Sequence, residues 1–179
     1  MSKIPERIDF DNDVKIVKLT SIHKVDNGFE CKKPDYTEYY KVHAFNDMMY
    51  GIGKTWLCTY KSDTVIGFIS VAMSHMKPER HESLMGKGYG NIPALLIGHL
   101  ATRKDYEKKG VGTRLIAWAI KEAVNISDRV GCRIVMLSPE NDQEVLDFYK
   151  KRGFTYVPRE GNEKEDAFFL DIHRIKKLE

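Results

Sequence analysis

Lys108-Lys109-Gly110-Val111-Gly112-Thr113 is the stretch that decides the reading of this 179-residue chain. A nearly continuous apolar run, 93–102, precedes it, as expected of a strand buried on both faces. The strongest helical pattern in the chain, 111–130, follows it. There Leu115, Ile116, Ala119, Ile120, Ala123 and Val124 repeat at steps of three and four residues and make one apolar stripe. The first amides of a helix have no partner within it, and the aligned peptide dipoles favour an anion there. Glycine lets the backbone approach a phosphate closely and turn where other residues resist. Between Arg103 and Arg114 stand five basic residues (103, 104, 108, 109 and 114) against Asp105 and Glu107, a local excess of +3. The pattern is that of a phosphate cradle.

Outward from this stretch the elements alternate. Before it, 14–19 alternates apolar and charged residues like a strand, and 35–49 carries Tyr36, Tyr39, Tyr40, Phe45 and Met48 at helical spacing. Strands are expected over 55–60 and 65–73, joined by the turn 61–64, and 77–91 reads as loop. After it come a short strand at 134–137, a helix over 144–152 stopped by Gly153, and strands at 154–157 and 167–173. A strand–helix–strand unit is parallel and hairpins are antiparallel. The expected fold is α/β: one domain with a mixed, mainly antiparallel sheet and helices on both faces.

Composition narrows the class. The whole chain carries a formal charge of +3, which permits an anionic ligand but lacks the blocks of like charge of a nucleic-acid tail. Cys31, Cys58 and Cys132 form no Cys-x-x-Cys pair, so a reduced, cytoplasmic protein without a metal is expected. No apolar stretch approaches the ~20 residues of a membrane span. Two other glycine clusters fail as cradles. Gly51-Ile52-Gly53-Lys54-Thr55 has Met48 where the required earlier glycine belongs and runs on as a strand. Gly86, Gly88 and Gly90 have no helix behind them.

In this setting the sequence resembles the GNAT superfamily of N-acetyltransferases. Leu100-Ala101-Thr102 followed by Tyr106-Glu107-Lys108-Lys109-Gly110-Val111-Gly112-Thr113 looks like its acetyl-CoA loop. Phe148-Tyr149-Lys150-Lys151-Arg152-Gly153-Phe154 looks like its second mark, an aromatic pair on a helix closed by Gly-Phe. The core motifs lie within 92–157 of a single domain, 1–179. Glu107 stands where the family prefers Gln or Arg, and Asp142 where many members have Asn.

The resemblance implies a cofactor, acetyl-CoA, as acyl donor. Its diphosphate would meet the backbone of Lys108, Lys109, Gly110, Val111, Gly112 and Thr113. Its amide-bearing arm would pair with Leu100, Ala101 and Thr102 as an added strand does. The chemistry is attack of a neutral amine on a thioester, which needs a proton removed from the amine and one given to the leaving thiolate. Tyr149 is similar to the family's general acid. His99, three residues before Thr102, titrates in a useful range and is the candidate base; a water relay, His75, His81 and Glu82 stay open beside it.

A fainter resemblance points to one branch. Gly28-Phe29-Glu30-Cys31, Gly53-Lys54-Thr55-Trp56 and Ile92-Pro93-Ala94-Leu95-Leu96-Ile97-Gly98 look like the toxin acetyltransferases that modify aminoacyl-tRNA. In that branch an Arg usually stands at His99 and a Gly at Lys32. RNA binding also wants more surplus positive charge than +3. The sequence therefore favours a primary amine of a small molecule, peptide or protein as acceptor. The alternatives are tRNA and a CoA-binding module without turnover. Oligomeric state stays open, a homodimer among the options.

Overall fold

The alternating pattern near the amino terminus becomes β1 (Val14–Lys18), which pairs antiparallel with β2 (Lys54–Tyr60). The computed structural model describes residues 5–24, 28–61, 64–77, 81–84, 90–158 and 166–176. The expected turn residues Ser62 and Asp63 and the glycines Gly86 and Gly88 lie outside them. β2 continues antiparallel into β3 (Thr64–Met76), and β4 (Ile92–Thr102) pairs parallel with β5 (Ile134–Leu137). β6 (Thr155–Val157) and β5 both run antiparallel to β7 (Ala167–Asp171). The seven-stranded sheet has the order β1-β2-β3-β4-β5-β7-β6, mixed and mainly antiparallel.

The backbone forms two compact units, 1–72 with 98–118 and 73–97 with 119–179. In the first, the helical segment after Pro34 is split: α1 (Pro34–Glu38), a π-helical turn (Tyr39–His43) and α2 (Ala44–Met49). The sequence predicts one continuous helix here. The wider turn divides neighbouring tyrosines between two tasks. Tyr40 is buried against Phe29 and Phe68, at ring distances of 4.9 and 5.3 Å, while Tyr39 stays half-exposed. Leu57, Val65 and Ala101 complete this core. Between Cys58 and Thr59 the β2–β3 register slips. The residue left out of the ladder is Ile66, whose carbonyl takes the Arg103 N–H at 2.9 Å. A bulge of this kind re-aims a strand locally.

In the second unit β5 is buried throughout and packs with Ala94, Val157 and Phe169. β4 departs from the expected fully buried strand. Ala94, Leu95 and Ile97 are buried, but Pro93 and Gly98 are exposed and His99 and Leu100 half-exposed. α3 (Val111–Ser127) ends three residues short of the predicted 130, where Arg129 and Val130 turn back onto the Ile126 carbonyl. The last strand also ends early. Asp171, buried and paired with Arg133 at 3.1 Å, accepts the His173 N–H at 3.1 Å and starts α5 (Ile172–Lys176), an element the sequence pattern did not reveal.

Candidate active site

The glycine turn ahead of α3 combines two left-handed residues. Gly110 has φ +90°, open to glycine, and Lys108 has φ 58°, a conformation that costs a side-chain-bearing residue roughly 1–3 kcal/mol. A Cβ at Gly110 would also meet the Phe10 ring at 3.2 Å. The first rung of α3 runs from the Arg114 N–H to the Gly110 carbonyl at 3.0 Å, so Val111, Gly112 and Thr113 lie ahead of the ladder. Val111 is buried and Gly112 half-buried, while Thr113 and Arg114 are exposed. The turn thus has the glycine geometry and the helix start that its sequence leads one to expect.

The charge around it is more balanced than the local count suggests. Lys104 lies 3.4 Å from Glu30, Arg103 3.7 Å from Asp105 and Arg114 3.8 Å from Asp11. Glu107 pairs with Lys32 at 2.7 Å. Together with the Lys104 N–H bonded to the Glu30 carbonyl, the Lys104–Glu30 and Glu107–Lys32 pairs tie the segment around Cys31 to the segment before the glycine turn. Exposed pairs of this kind contribute at most about 1 kcal/mol each. They nonetheless account for Glu107 and Lys32 jointly. Each departs from the family or branch pattern, and each is the other's partner.

Below the turn, Gly67 on β3 makes room. A Cβ there would lie 2.7 Å from Val111 Cγ1, 3.0 Å from the Ala101 carbonyl oxygen and 3.2 Å from Leu115 Cδ1. Nothing in the local sequence marks this glycine; only the packing of α3 on β3 and β4 does.

His99 sits in an aromatic setting of the same unit. The Tyr39 ring stacks on it at 3.6 Å and 12°, and Tyr36 meets it edge-on at 5.2 Å. Its backbone N–H donates to Ser70 Oγ at 3.0 Å, and its Nδ1 lies 3.2 Å from the same hydroxyl. Burial pushes the imidazole below its ordinary range, and the Asp47 carboxylate opposes that. Burial raises the Tyr39 phenol. Of the other candidates, His75 is exposed on β3, and His81 is held by Ser83 Oγ at 2.8 Å and the edge of Phe169. Burial drives the Cys58 thiol up to about 12 and raises Cys132, so neither supplies a thiolate nucleophile. Among the described residues no cluster of His, Cys, Asp and Glu could hold a metal, and no helix is long and apolar enough to cross a membrane.

In the second unit Tyr149 lies on α4 (Gln143–Lys150) and is 7% exposed. Its ring is packed by Phe148, Phe154 and Phe168 at 5.1, 5.7 and 6.0 Å. Phe148, beside it in sequence, is half-exposed. It carries the Arg152 guanidinium 3.5 Å over its face. Burial lowers Arg152, and the charge of the Tyr149 phenolate raises it, which places the two groups within electrostatic reach. Gly153, at φ +82°, closes the helix, and the Phe154 N–H returns to the Tyr149 carbonyl at 3.3 Å.

Asp142 caps α4, accepting the Val145 N–H at 3.1 Å, a task Asn performs as well. Asp142→Ala should lower stability by about 1 kcal/mol, and Asp142→Asn by a few tenths at most. Thermal unfolding of the two variants checks this, and equal midpoints would remove the cap from the account.

Seven strands in this order, with a strand, glycine turn and helix at the centre, define the acyl-CoA acyltransferase class of fold. Residues 52–156 match the family described as acetyltransferase (GNAT) domain, and the chain belongs to that family. It is an acetyltransferase, with acetyl-CoA as donor. A curated relative, the tRNA-acetylating toxin of Mycobacterium tuberculosis, is 24% identical over 135 residues, 73% of this chain and 78% of that one. Among solved structures, AtaT complexed with acetyl-methionyl-tRNAfMet superimposes with a TM-score of 0.81 at 23% identity, covering 93% of this chain and 99% of that one. AtaTR bound with AcCoA gives 0.75 at 23% identity, covering 93% and 98%.

Proposed function

We propose that this acetyltransferase acts on the α-amino group of an aminoacyl-tRNA. The observation that carries the reading is the likeness to the tRNA-acetylating toxin across most of both chains. The environment of His99 supports it on chemical grounds. An imidazole held below its ordinary range is a weak base, better matched to an α-amine at about 8 than to a lysine at about 10.4. A small-molecule or protein amine, which the charge count favours, becomes the second reading.

In this proposal the chain acts in the cytoplasm as one domain, 1–179, and each site residue has a task. The amides of Lys109 to Thr113, with Lys108 holding the turn, receive the donor's diphosphate. Leu100, Ala101 and Thr102 pair with its amide-bearing arm as an added strand would. His99 takes a proton from the arriving ammonium. Tyr149 gives one to the departing thiolate.

Thiol release from acetyl-CoA, followed in time with charged tRNA, peptides and small amines, tests the reading. Charged tRNA should accelerate release strongly, and expression should arrest growth. Acceleration by a peptide or small amine alone would overturn the tRNA assignment. If no acceptor accelerates release while CoA still binds, the chain is a CoA-binding module.

A further inference from the structure

We propose that the segment ahead of β1, residues 8–13, is a brace for the glycine turn: the Phe10 ring lies against Gly110, keeps the turn in one shape before any donor arrives, and so sets the affinity for acetyl-CoA. The inference rests on the reading that the amides of Lys109 to Thr113 receive the diphosphate, and it makes Phe10 a positioning residue.

The turn needs support from outside. Lys108 and Gly110 both have positive φ, 58° and 90°. A side-chain-bearing residue keeps such a conformation where its surroundings over-determine it, and glycine loses more backbone freedom than any other residue on being fixed. The Arg114 N–H on the Gly110 carbonyl, at 3.0 Å, holds the helix side of the turn. The Lys32–Glu107 pair, at 2.7 Å, holds the side that leads in. Phe10 covers the middle: a Cβ at Gly110 would come within 3.2 Å of its Cε2 and 3.4 Å of its Cζ. The missing side chain is what lets the ring approach.

The brace is itself anchored at both ends. Ile8 is buried, and the Asp13 carbonyl takes the Lys61 N–H at 2.8 Å, beside the Val14–Tyr60 pair that opens the β1–β2 ladder. Between these anchors the chain turns once, the Asp13 N–H returning to the Asp9 carbonyl at 2.9 Å. Asp9 organises the turn. Its Oδ1 accepts the Asp11 and Asn12 N–H groups at 3.1 and 3.2 Å, and its Oδ2 accepts the Asn12 side-chain amide at 2.8 Å, the local bonding that suits aspartate to turns. The Asn12 side chain is the main cause that holds the Asp9 carboxyl below its ordinary range, so it accepts these bonds as a carboxylate at neutral pH.

In a turn whose other members are Asp9, Asp11, Asn12 and Asp13, Phe10 is the one apolar side chain, and turn chemistry does not call for it. Its contact with Gly110 does. Asp11 also reaches across, to Arg114 at 3.8 Å, but its side chain is 89% exposed, and a pair so open to water contributes little. The ring carries the brace. Its expected effect follows from what it prevents. Freeing the backbone of one residue is worth roughly 5–30-fold in an equilibrium constant, and a loop that must be ordered on binding loses such a factor in affinity.

Calorimetric titration of CoA and nitrogen-15 relaxation of the ligand-free protein test the inference together. In the wild type the order parameters of residues 109–112 should match those of α3, about 0.85. Phe10→Ala should lower the Gly110 value toward about 0.6 and raise the CoA dissociation constant roughly tenfold. Turnover at saturating acetyl-CoA should stay unchanged with whichever amine the protein accepts. Phe10→Tyr keeps the ring and should restore both readouts, and Asp11→Asn should leave both close to wild type. Asp9→Ala loosens the brace without touching the ring or Gly110 and should move both in the same direction by less. It also decides the matter if Phe10→Ala folds poorly, since no change in either readout would then overturn the inference. Unaltered order parameters in a folded Phe10→Ala would overturn it, and so would a looser turn with wild-type CoA affinity. The second result would also place the diphosphate off this turn, whereas the first would leave that assignment standing.

Discussion

Tyr149→Phe should lower turnover roughly 10²–10⁴-fold, the range for a placed proton donor, while acetyl-CoA affinity stays within about twofold. The substitution removes one oxygen and keeps the ring. Phe148, Phe154 and Phe168 at 5.1–6.0 Å hold that ring through apolar contact, so the fold should survive with little change in unfolding midpoint. The electrostatics favour the role. When the hydroxyl gives its proton to the thiolate, the phenolate left behind lies within reach of the Arg152 guanidinium. That cation is fixed by the Phe148 carbonyl at 2.6 Å and by the Phe148 ring. A fixed positive charge stabilises the phenolate without reorganising at the moment of transfer. Rapid-quench turnover beside calorimetric CoA binding decides the matter. If turnover is unchanged, Tyr149 is not the acid. If turnover, affinity and midpoint fall together, its part is packing.

What the sequence made legible is local. The strand, glycine turn and helix around Gly110 are written in consecutive residues, and so are the aromatic pair and Gly153 that close α4. The rest required contacts between distant segments. Nothing at Tyr39 announces a π turn, because the same residues at helical spacing suit an ordinary helix. Its partner His99 is sixty positions away in sequence, and Ser70 and Asp47 lie on two further elements. Glu107 looked like a defect in the loop until Lys32 stood beside it. The charge count is a weak guide to the acceptor for a related reason. A chain-wide +3 averages over charges already engaged with carboxylates, such as Lys104 and Arg114, and says little about which cations a phosphate backbone would meet.

Gly67→Ala should be the most damaging small substitution in the first unit. Its new Cβ would be forced against Val111 Cγ1 at 2.7 Å and the Ala101 carbonyl oxygen at 3.0 Å. The first neighbour is a β-branched side chain with one preferred rotamer in a helix. The second is backbone in β4. Neither swings aside, so the strain must move the start of α3 or the end of β4. Overpacking of this kind costs about 1–3 kcal/mol, and at this chain length each kcal/mol lowers the midpoint by about 2–4 °C.

Stability is the lesser consequence. Ala101 and Val111 stand in the two segments assigned to the donor's arm and diphosphate, so acetyl-CoA affinity should fall by roughly tenfold or more, about 1.4 kcal/mol. Gly131→Ala is the control, since its Cβ would meet only Pro93 Cγ at an ordinary 3.7 Å. Differential scanning calorimetry and CoA titration of both variants separate the outcomes. A lowered midpoint with wild-type affinity would mean that the donor does not rest on these two segments. An unchanged midpoint would mean that α3 can lift from β3 without cost, and the tight packing under the glycine turn would not be what fixes its amides in place.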